Sequence, residues 1–201
     1  MNFLAHAYLS FDQDEILIGN FIADFIRGKE IENYPKKIQV GIHLHRAIDA
    51  FTDSHPLVKE VQTHLRSRFG HYARVISDVF FDYFLAKNWG KYKSLPLETY
   101  SLQIYKILQS SPVQLPPSFL RMLYWMEQQN WLYAYRNLAG IQQALDGLTR
   151  RATFDSKMNE ATQVLREKEE EIEALFFVFF QDLETFAQAT LTTLSQTHDP
   201  A

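Results

Sequence analysis

Several residue types are missing or scarce in this sequence of 201 residues, and each absence excludes a class of protein. Cysteine is absent, which excludes disulfides and thiolate metal ligands and favours a reducing compartment. The longest apolar run, Ala174 to Phe180, is far too short to span a bilayer. The first ten residues lack the basic start and the cleavage site of a signal peptide. We therefore expect a cytoplasmic protein that is neither secreted nor inserted in a membrane.

Glycine and proline are also few, with seven of each, which favours long helices over a turn-rich β fold. Apolar residues recur at helical spacing along most of the chain, and no composition break divides it. We therefore predict an all-α, single-domain helical bundle over residues 1–201. One helix is predicted to run from Glu15 to about Arg27, before Gly28, and another from Pro35 to about Ser54.

The predicted helix that ends near Ser54 carries the densest group of chemically active side chains. Within it, His45, Asp49 and either Thr52 or Asp53 are three or four residues apart and would project from one face. His55 follows directly, before the helix-breaking Pro56. Imidazoles and carboxylates at this spacing are typical of a site that holds a cation.

Acidic side chains on two other apolar helices suggest that they contribute to the same site. Asp24 lies among bulky apolar residues, where an unpaired carboxylate would cost several kcal/mol. It therefore needs a cation, a hydrogen-bond network or contact with solvent, and a structural salt bridge to Arg27 or Arg46 is the alternative to a role in the site. Asp78 and Asp82 form an i,i+4 pair of like charges in an aromatic helix, and a shared cation would remove their repulsion.

Together these residues define a predicted metal site without thiolates, which suits Mn²⁺, Fe²⁺, Mg²⁺ or Zn²⁺. Such an ion activates water and polarises a phosphoryl oxygen, so metal-assisted hydrolysis of a phosphate ester is the leading reaction class. The candidate catalytic residues are Asp24, His45, Asp49, His6 and His55. The candidate metal ligands are Asp24, His45, Asp49, Asp78 and Asp82. His6 is the one histidine on a short apolar helix, so the alternative to a catalytic role is that its ring is buried and purely structural.

The charge distribution predicts an anionic substrate or partner. The whole chain carries a net charge of −4, yet residues 27–75 hold nine Lys or Arg against five Asp or Glu. The basic residues are scattered and no nucleic-acid-binding motif is present, so we expect no nucleic acid. The candidate substrate-binding and docking residues are Asn20, Arg27, Arg46, Asp53, Lys36, Lys37, Arg66, Arg68 and Arg74.

Three motifs in residues 1–90 resemble the acyl carrier protein phosphodiesterase family, also called acyl carrier protein hydrolase. They are Met1-Asn2-Phe3-Leu4-Ala5-His6-Ala7, the segment from Gly19 to Gly28, and the segment from Gly41 to Pro56. The later segment from Asp78 to Ala86 is also similar to this family.

The resemblance implies a helical fold related to the HD-domain phosphohydrolases, in a divergent form without the contiguous His-Asp doublet. Arg46 follows His45 here, so the doublet's role would be divided between His45 and Asp49. The family activity that it implies is Mn²⁺-dependent release of 4′-phosphopantetheine from holo acyl carrier protein, an acidic helical partner in fatty acid and lipid metabolism.

Two other functions remain open from the residues themselves. The same site could act on a nucleotide or another small phosphoester. A non-catalytic helical binding protein could instead hold a ligand against the aromatic cluster of Trp125, Trp131, Tyr133 and Tyr135, whose simpler interpretation is core packing. The sequence does not indicate the oligomeric state.

Overall fold

The computed structural model describes residues 1–198 and has the predicted all-α architecture, with no strand in that range. Its helices, in chain order, are α1 (Phe3–Tyr8), α2 (Asp14–Ile22), α3 (Lys36–Ser54), α4 (Pro56–Phe69), α5 (Ala73–Lys87), α6 (Leu97–Gln109), α7 (Pro117–Gln128), α8 (Trp131–Ala134), α9 (Leu138–Arg151), α10 (Ala161–Glu167) and α11 (Glu169–His198). The prediction of one domain over residues 1–201 extends three residues beyond the described part and stays a prediction.

The predicted helix over residues 15–27 is wrong at its C-terminal end. α2 stops at Ile22, and the chain continues as a 3₁₀ turn, Ala23–Phe25. No glycine or proline marks this stop, so tertiary contacts override local propensity. Ile26 adopts an extended conformation and is buried, and its carbonyl oxygen accepts a hydrogen bond from Arg46 at 3.1 Å. As a result Asn20, Asp24 and Arg27 do not share one helix face.

The core is closed by α11, which is 30 residues long. Phe176, Phe179 and Phe180 of this helix are fully buried. The ring of Phe179 lies 5.0 Å from that of Phe81 on α5, and Phe186 stacks on Phe51 of α3 at 4.4 Å. Despite its length, neither α11 nor any other helix in residues 1–198 is apolar enough over a sufficient stretch to cross a membrane.

Helices α2 and α3 cross so closely that their backbones touch. A Cβ atom on Gly19 would overlap the carbonyl oxygen of Ile38, and one on Gly41 would overlap that of Ile16. Only glycine allows this approach. The crossing lies beside the candidate site, because Asn20 follows Gly19 and His45 is one helical turn beyond Gly41.

Candidate functional site

Two histidines and one aspartate from the first and third helices converge in the structure. His6 on α1 and His45 on α3 stack ring on ring, with centroids 4.0 Å apart. Nε2 of His6 lies 3.2 Å from Oδ1 of Asp49, and Nε2 of His45 lies 3.1 Å from Oδ2 of the same residue. Both histidines are buried, whereas the Asp49 side chain is 38% exposed. We call His6, His45, Asp49 and the neighbouring Asp24 the His–Asp centre.

Asn20 holds the His6 ring in one tautomer. Its side-chain nitrogen donates to the His6 carbonyl oxygen at 3.0 Å and to the Ser10 hydroxyl at 3.1 Å. Its side-chain oxygen must therefore accept the 2.8 Å bond from Nδ1 of His6. Nε2 of His6 then presents a lone pair to the centre. Because Asn20 is buried and its amide is fully used, it orients His6 instead of reaching a substrate, as had been predicted for it.

The two histidines have opposite protonation behaviour although their rings touch. Burial lowers the pKa of His6 to about 4, helped by the neighbouring charge of His45, so His6 is neutral. Burial also favours neutral His45, but its contacts with the Asp24 and Asp49 carboxylates outweigh burial and raise its pKa to about 9. The contact with His45, 3.3 Å to Oδ1, lowers the pKa of Asp24.

A further cation lies at the edge of the centre. The α-amino group of Met1 is 3.1 Å from Oδ1 of Asp49 and 3.4 Å from Oδ1 of Asp78. Burial disfavours its charged form, but the two carboxylates outweigh burial and raise its pKa. Burial raises the pKa of Asp78 despite this neighbour. The ammonium group thus links Asp78 to the centre and partly balances its acidic charge.

The His–Asp centre has the features of a metal site. One ligand atom each from His6, His45 and Asp49 lie within 4.8 Å of one another. Nε2 of His6 is buried and has no hydrogen-bond partner among the described residues. Its other nitrogen is fixed by Asn20, as metal-binding histidines generally require. Imidazole and carboxylate donors suit a divalent transition metal, so these residues fit the ion that the sequence predicts.

Asp82 is separate from this group. Its two carboxylate oxygens accept hydrogen bonds from the backbone nitrogens of Leu4 and Ala5, at 2.8 and 2.9 Å. It therefore caps the start of α1, whose first N–H groups have no partner within the helix. The Asp82 side chain thereby fixes the helix that carries His6. The structure does not place Asp82 among the candidate metal ligands, where the sequence had predicted it.

We expect Asp82 to make the folded protein less stable as the pH rises. Burial raises its pKa to about 7, although the two N–H donors act in the opposite direction. Between about pH 4 and 7 the folded protein retains a proton that the unfolded chain has released. The free energy of unfolding should then fall by up to about 1.4 kcal/mol per pH unit from this group alone.

Urea unfolding of wild type and Asp82→Asn across this pH range measures the effect. Because asparagine does not titrate, the difference in free energy of unfolding should shift in the variant's favour as the pH rises. A difference that stays constant from pH 4.5 to 7.5 would contradict the assignment.

Two predicted residues lie away from the centre on or just beyond α3. His55 is ten residues beyond His45, about 15 Å along the helix direction. Its Nδ1 accepts the backbone N–H of Leu57, and its Nε2 lies 3.4 Å from Asp182, so His55 joins α4 to α11. Asp53 is exposed and forms an ion pair with Arg74. The structure therefore does not bring the predicted catalytic His55 or substrate-binding Asp53 into the centre.

The predicted docking cations are distributed over different parts of the surface. Lys36 and Lys37 are at the start of α3, and Lys37 lies 3.4 Å from Glu15. At the end of α4, Arg66 donates to Gln62, and the Arg68 guanidinium binds Glu160. By contrast, the exposed Arg27 and Arg46 are close in sequence to Asp24 and His45.

The structure also reveals contributions that the sequence did not indicate. The Met1 amino group, the orientation of His6 by Asn20 and the cap by Asp82 all join residues that are far apart in the chain. No local spacing signals such contacts. The sequence predicted Asn20 as a substrate-binding residue, whereas its side chain binds His6 and Ser10.

The fold and site define an all-helical protein with a partly buried histidine–aspartate centre suited to a divalent metal. A sequence model described as acyl carrier protein phosphodiesterase matches residues 1–183. Proteins named acyl carrier protein phosphodiesterase from Escherichia coli strains K12, SMS-3-5 and O81 (strain ED1a) are each 32% identical over 199 residues, covering 96% of this chain and 100% of the relative. The chain belongs to the acyl carrier protein phosphodiesterase family. No solved structure matches it, so the predicted HD-domain-like architecture stays a prediction.

Proposed function

We propose that this protein hydrolyses the phosphodiester that links 4′-phosphopantetheine to a serine of holo acyl carrier protein. Water attacks phosphorus, and the bond between phosphorus and the serine oxygen breaks. The products are 4′-phosphopantetheine and the apo carrier with a free serine hydroxyl. The observation that carries the proposal is the family match over residues 1–183, which includes every residue of the His–Asp centre.

The chain's own side chains supply distinct parts of this chemistry. We propose that His6, His45 and Asp49, whose ligand atoms lie within 4.8 Å of one another, hold Mn²⁺, or alternatively Mg²⁺ or Fe²⁺, and that Asp24, also a predicted ligand, has a separate role. When bound, such an ion supplies Lewis acidity toward the phosphoryl oxygen and the attacking water. Asn20 keeps Nε2 of His6 free of hydrogen and directed at the centre. The Met1 ammonium group reduces the repulsion between Asp49 and the phosphate.

Proton transfer and phosphate binding are assigned to the exposed side of the centre. The Asp24 side chain is 70% exposed, so it can take a proton from water and return it to the departing serine oxygen. Arg27 and Arg46, also exposed, can pair with the remaining phosphate oxygens. We place the reaction in the cytoplasm as part of the proposal, supported by the cysteine-free composition.

Intact-mass spectrometry of the carrier tests the proposed function. Purified protein with Mn²⁺ should remove the mass of the prosthetic group from holo carrier and release 4′-phosphopantetheine. A chelator should stop the reaction, and added Mn²⁺ should restore it. A panel of nucleotides, incubated in parallel, should stay intact. Unchanged holo carrier, or hydrolysis of nucleotides alone, would overturn the proposal.

A further inference from the structure

The proposed reaction places a strict demand on the position of the protein substrate, and this inference rests on that function. The bond that breaks joins phosphorus directly to a serine side chain. The carrier's own surface must therefore lie against the mouth of the His–Asp centre, because the long 4′-phosphopantetheine group is on the other side of the phosphate and cannot act as a spacer. The docking surface has to border the exposed Asp24.

The N-terminal end of helix α7 packs, through its buried side, against the residue that follows Asp24. The ring of Phe25, the next residue, packs edge-on against Phe119 of α7, with centroids 5.6 Å apart. An open cleft of about 550 Å³ lies between the two segments. Its lining includes Phe25 and Ile26 on one side and Pro117 and Ser118, at the start of α7, on the other.

The outward face of α7 is unusually apolar. Leu120, Tyr124 and Trp125 are 47%, 55% and 54% exposed, and the two aromatic rings lie 5.2 Å apart. The described residues have four other large hydrophobic side chains that are exposed, and these are distributed over other segments of the chain. Clustered aromatic and aliphatic side chains on a surface are typical of a binding site for another protein. This corrects the interpretation of Trp125 as core.

The charge of this face favours an acidic partner. Arg121 lies among the three apolar residues and is exposed. The one acidic residue of α7, Glu127, is half-buried and accepts a hydrogen bond from Gln109 at 2.6 Å. Arg27 and Arg46 add positive charge near Asp24. An acidic helix with an apolar stripe would complement both properties.

We propose that the acyl carrier protein docks on the α7 face, defined as Leu120, Arg121, Tyr124 and Trp125. The apolar side chains supply most of the binding energy, and Arg121 pairs with a carboxylate of the carrier. The cations at the start of α3 and the end of α4, which charge alone had suggested, are not part of this surface.

Kinetics on two substrates test the docking surface. Tyr124→Ala/Trp125→Ala should raise KM for holo carrier by about 10- to 30-fold, with kcat within about twofold of wild type. Hydrolysis of bis(p-nitrophenyl) phosphate, a small diester with no protein surface, should be unchanged. Val178→Ala, at a residue 56% exposed on α11, is the control for losing exposed apolar surface.

A charge reversal provides an independent variant. Arg121→Glu should raise KM for holo carrier more at low than at high salt, because a charged contact is screened. Arg166→Glu, at an exposed residue of α10, is its control. Apo carrier, which lacks the 4′-phosphopantetheine group, should bind the Tyr124→Ala/Trp125→Ala variant about 10-fold or more weakly than it binds the wild-type protein, as measured by calorimetry.

The failure of this inference differs from failure of the proposed function. If wild type leaves holo carrier intact, the function is wrong and docking has no basis. If wild type removes the prosthetic group but both α7 variants retain wild-type KM and apo-carrier affinity, the docking surface is wrong. Circular dichroism and thermal unfolding verify that the variants are folded.

Discussion

Asp49→Asn should lower kcat for holo carrier by at least about 10³-fold. The two oxygens of Asp49 lie within 3.2 Å of the Met1 amino group, His6 and His45. Burial would favour its neutral form, but the two histidines outweigh burial and hold its pKa well below its ordinary value. Asparagine keeps the shape and removes the negative charge that binds the Met1 ammonium group and the protonated His45 ring.

Asp53→Asn is the matched control for this variant. It makes the same substitution one helical turn further along α3, at an exposed carboxylate paired with Arg74. Its kcat should stay within about threefold of wild type, because Asp53 is outside the centre. Metal analysis gives a second readout: Asp49→Asn should lose bound metal and Asp53→Asn should retain it. If Asp49→Asn keeps a tenth of wild-type activity, Asp49 is not part of the machinery.

The contrast between these two aspartates shows what helical spacing can predict. His45 and Asp49 face one another because a four-residue step turns the helix by only about 40°. A second such step brings Asp53 about 80° away from His45, which moves it off the face and toward Arg74. Of the two alternatives that the sequence offered for the next turn, Thr52 lies seven residues and about 20° from His45 and is buried on the same face, whereas Asp53 does not.

The helix bounds show the same limit. Pro35 and Pro56 flank α3, and these local signals predicted this helix within a residue, as Pro35 to about Ser54 against the observed Lys36–Ser54. α2 ends without such a signal, because the burial of Ile26 and its bond to Arg46 end it. Helical spacing cannot predict contacts between residues that are far apart in the chain. The cap of α1 by Asp82 is an example, because 78 residues separate Asp82 from Leu4.

Gly41→Ala should destabilise the folded protein by at least about 4 kcal/mol, or prevent folding. The new methyl group would overlap the carbonyl oxygen of Ile16, which is backbone and cannot move aside as a side chain can. Relief requires α2 and α3 to separate, which opens the apolar contact between them. Urea unfolding measures the loss where the variant is soluble.

Gly147→Ala is the matched control, since it adds the same methyl group to a glycine within α9. The nearest atom to the new methyl group is at the flexible end of Arg150, 3.9 Å away, so alanine should stabilise that helix by up to about 1 kcal/mol. A Gly41→Ala protein within 1 kcal/mol of wild type would show that the crossing can relax.

The close crossing of α2 and α3 also matters for the site. Asn20 follows Gly19 on α2 and His45 follows Gly41 on α3, so the distance between these helices determines whether the His6 ring, held by Asn20, can stack on His45.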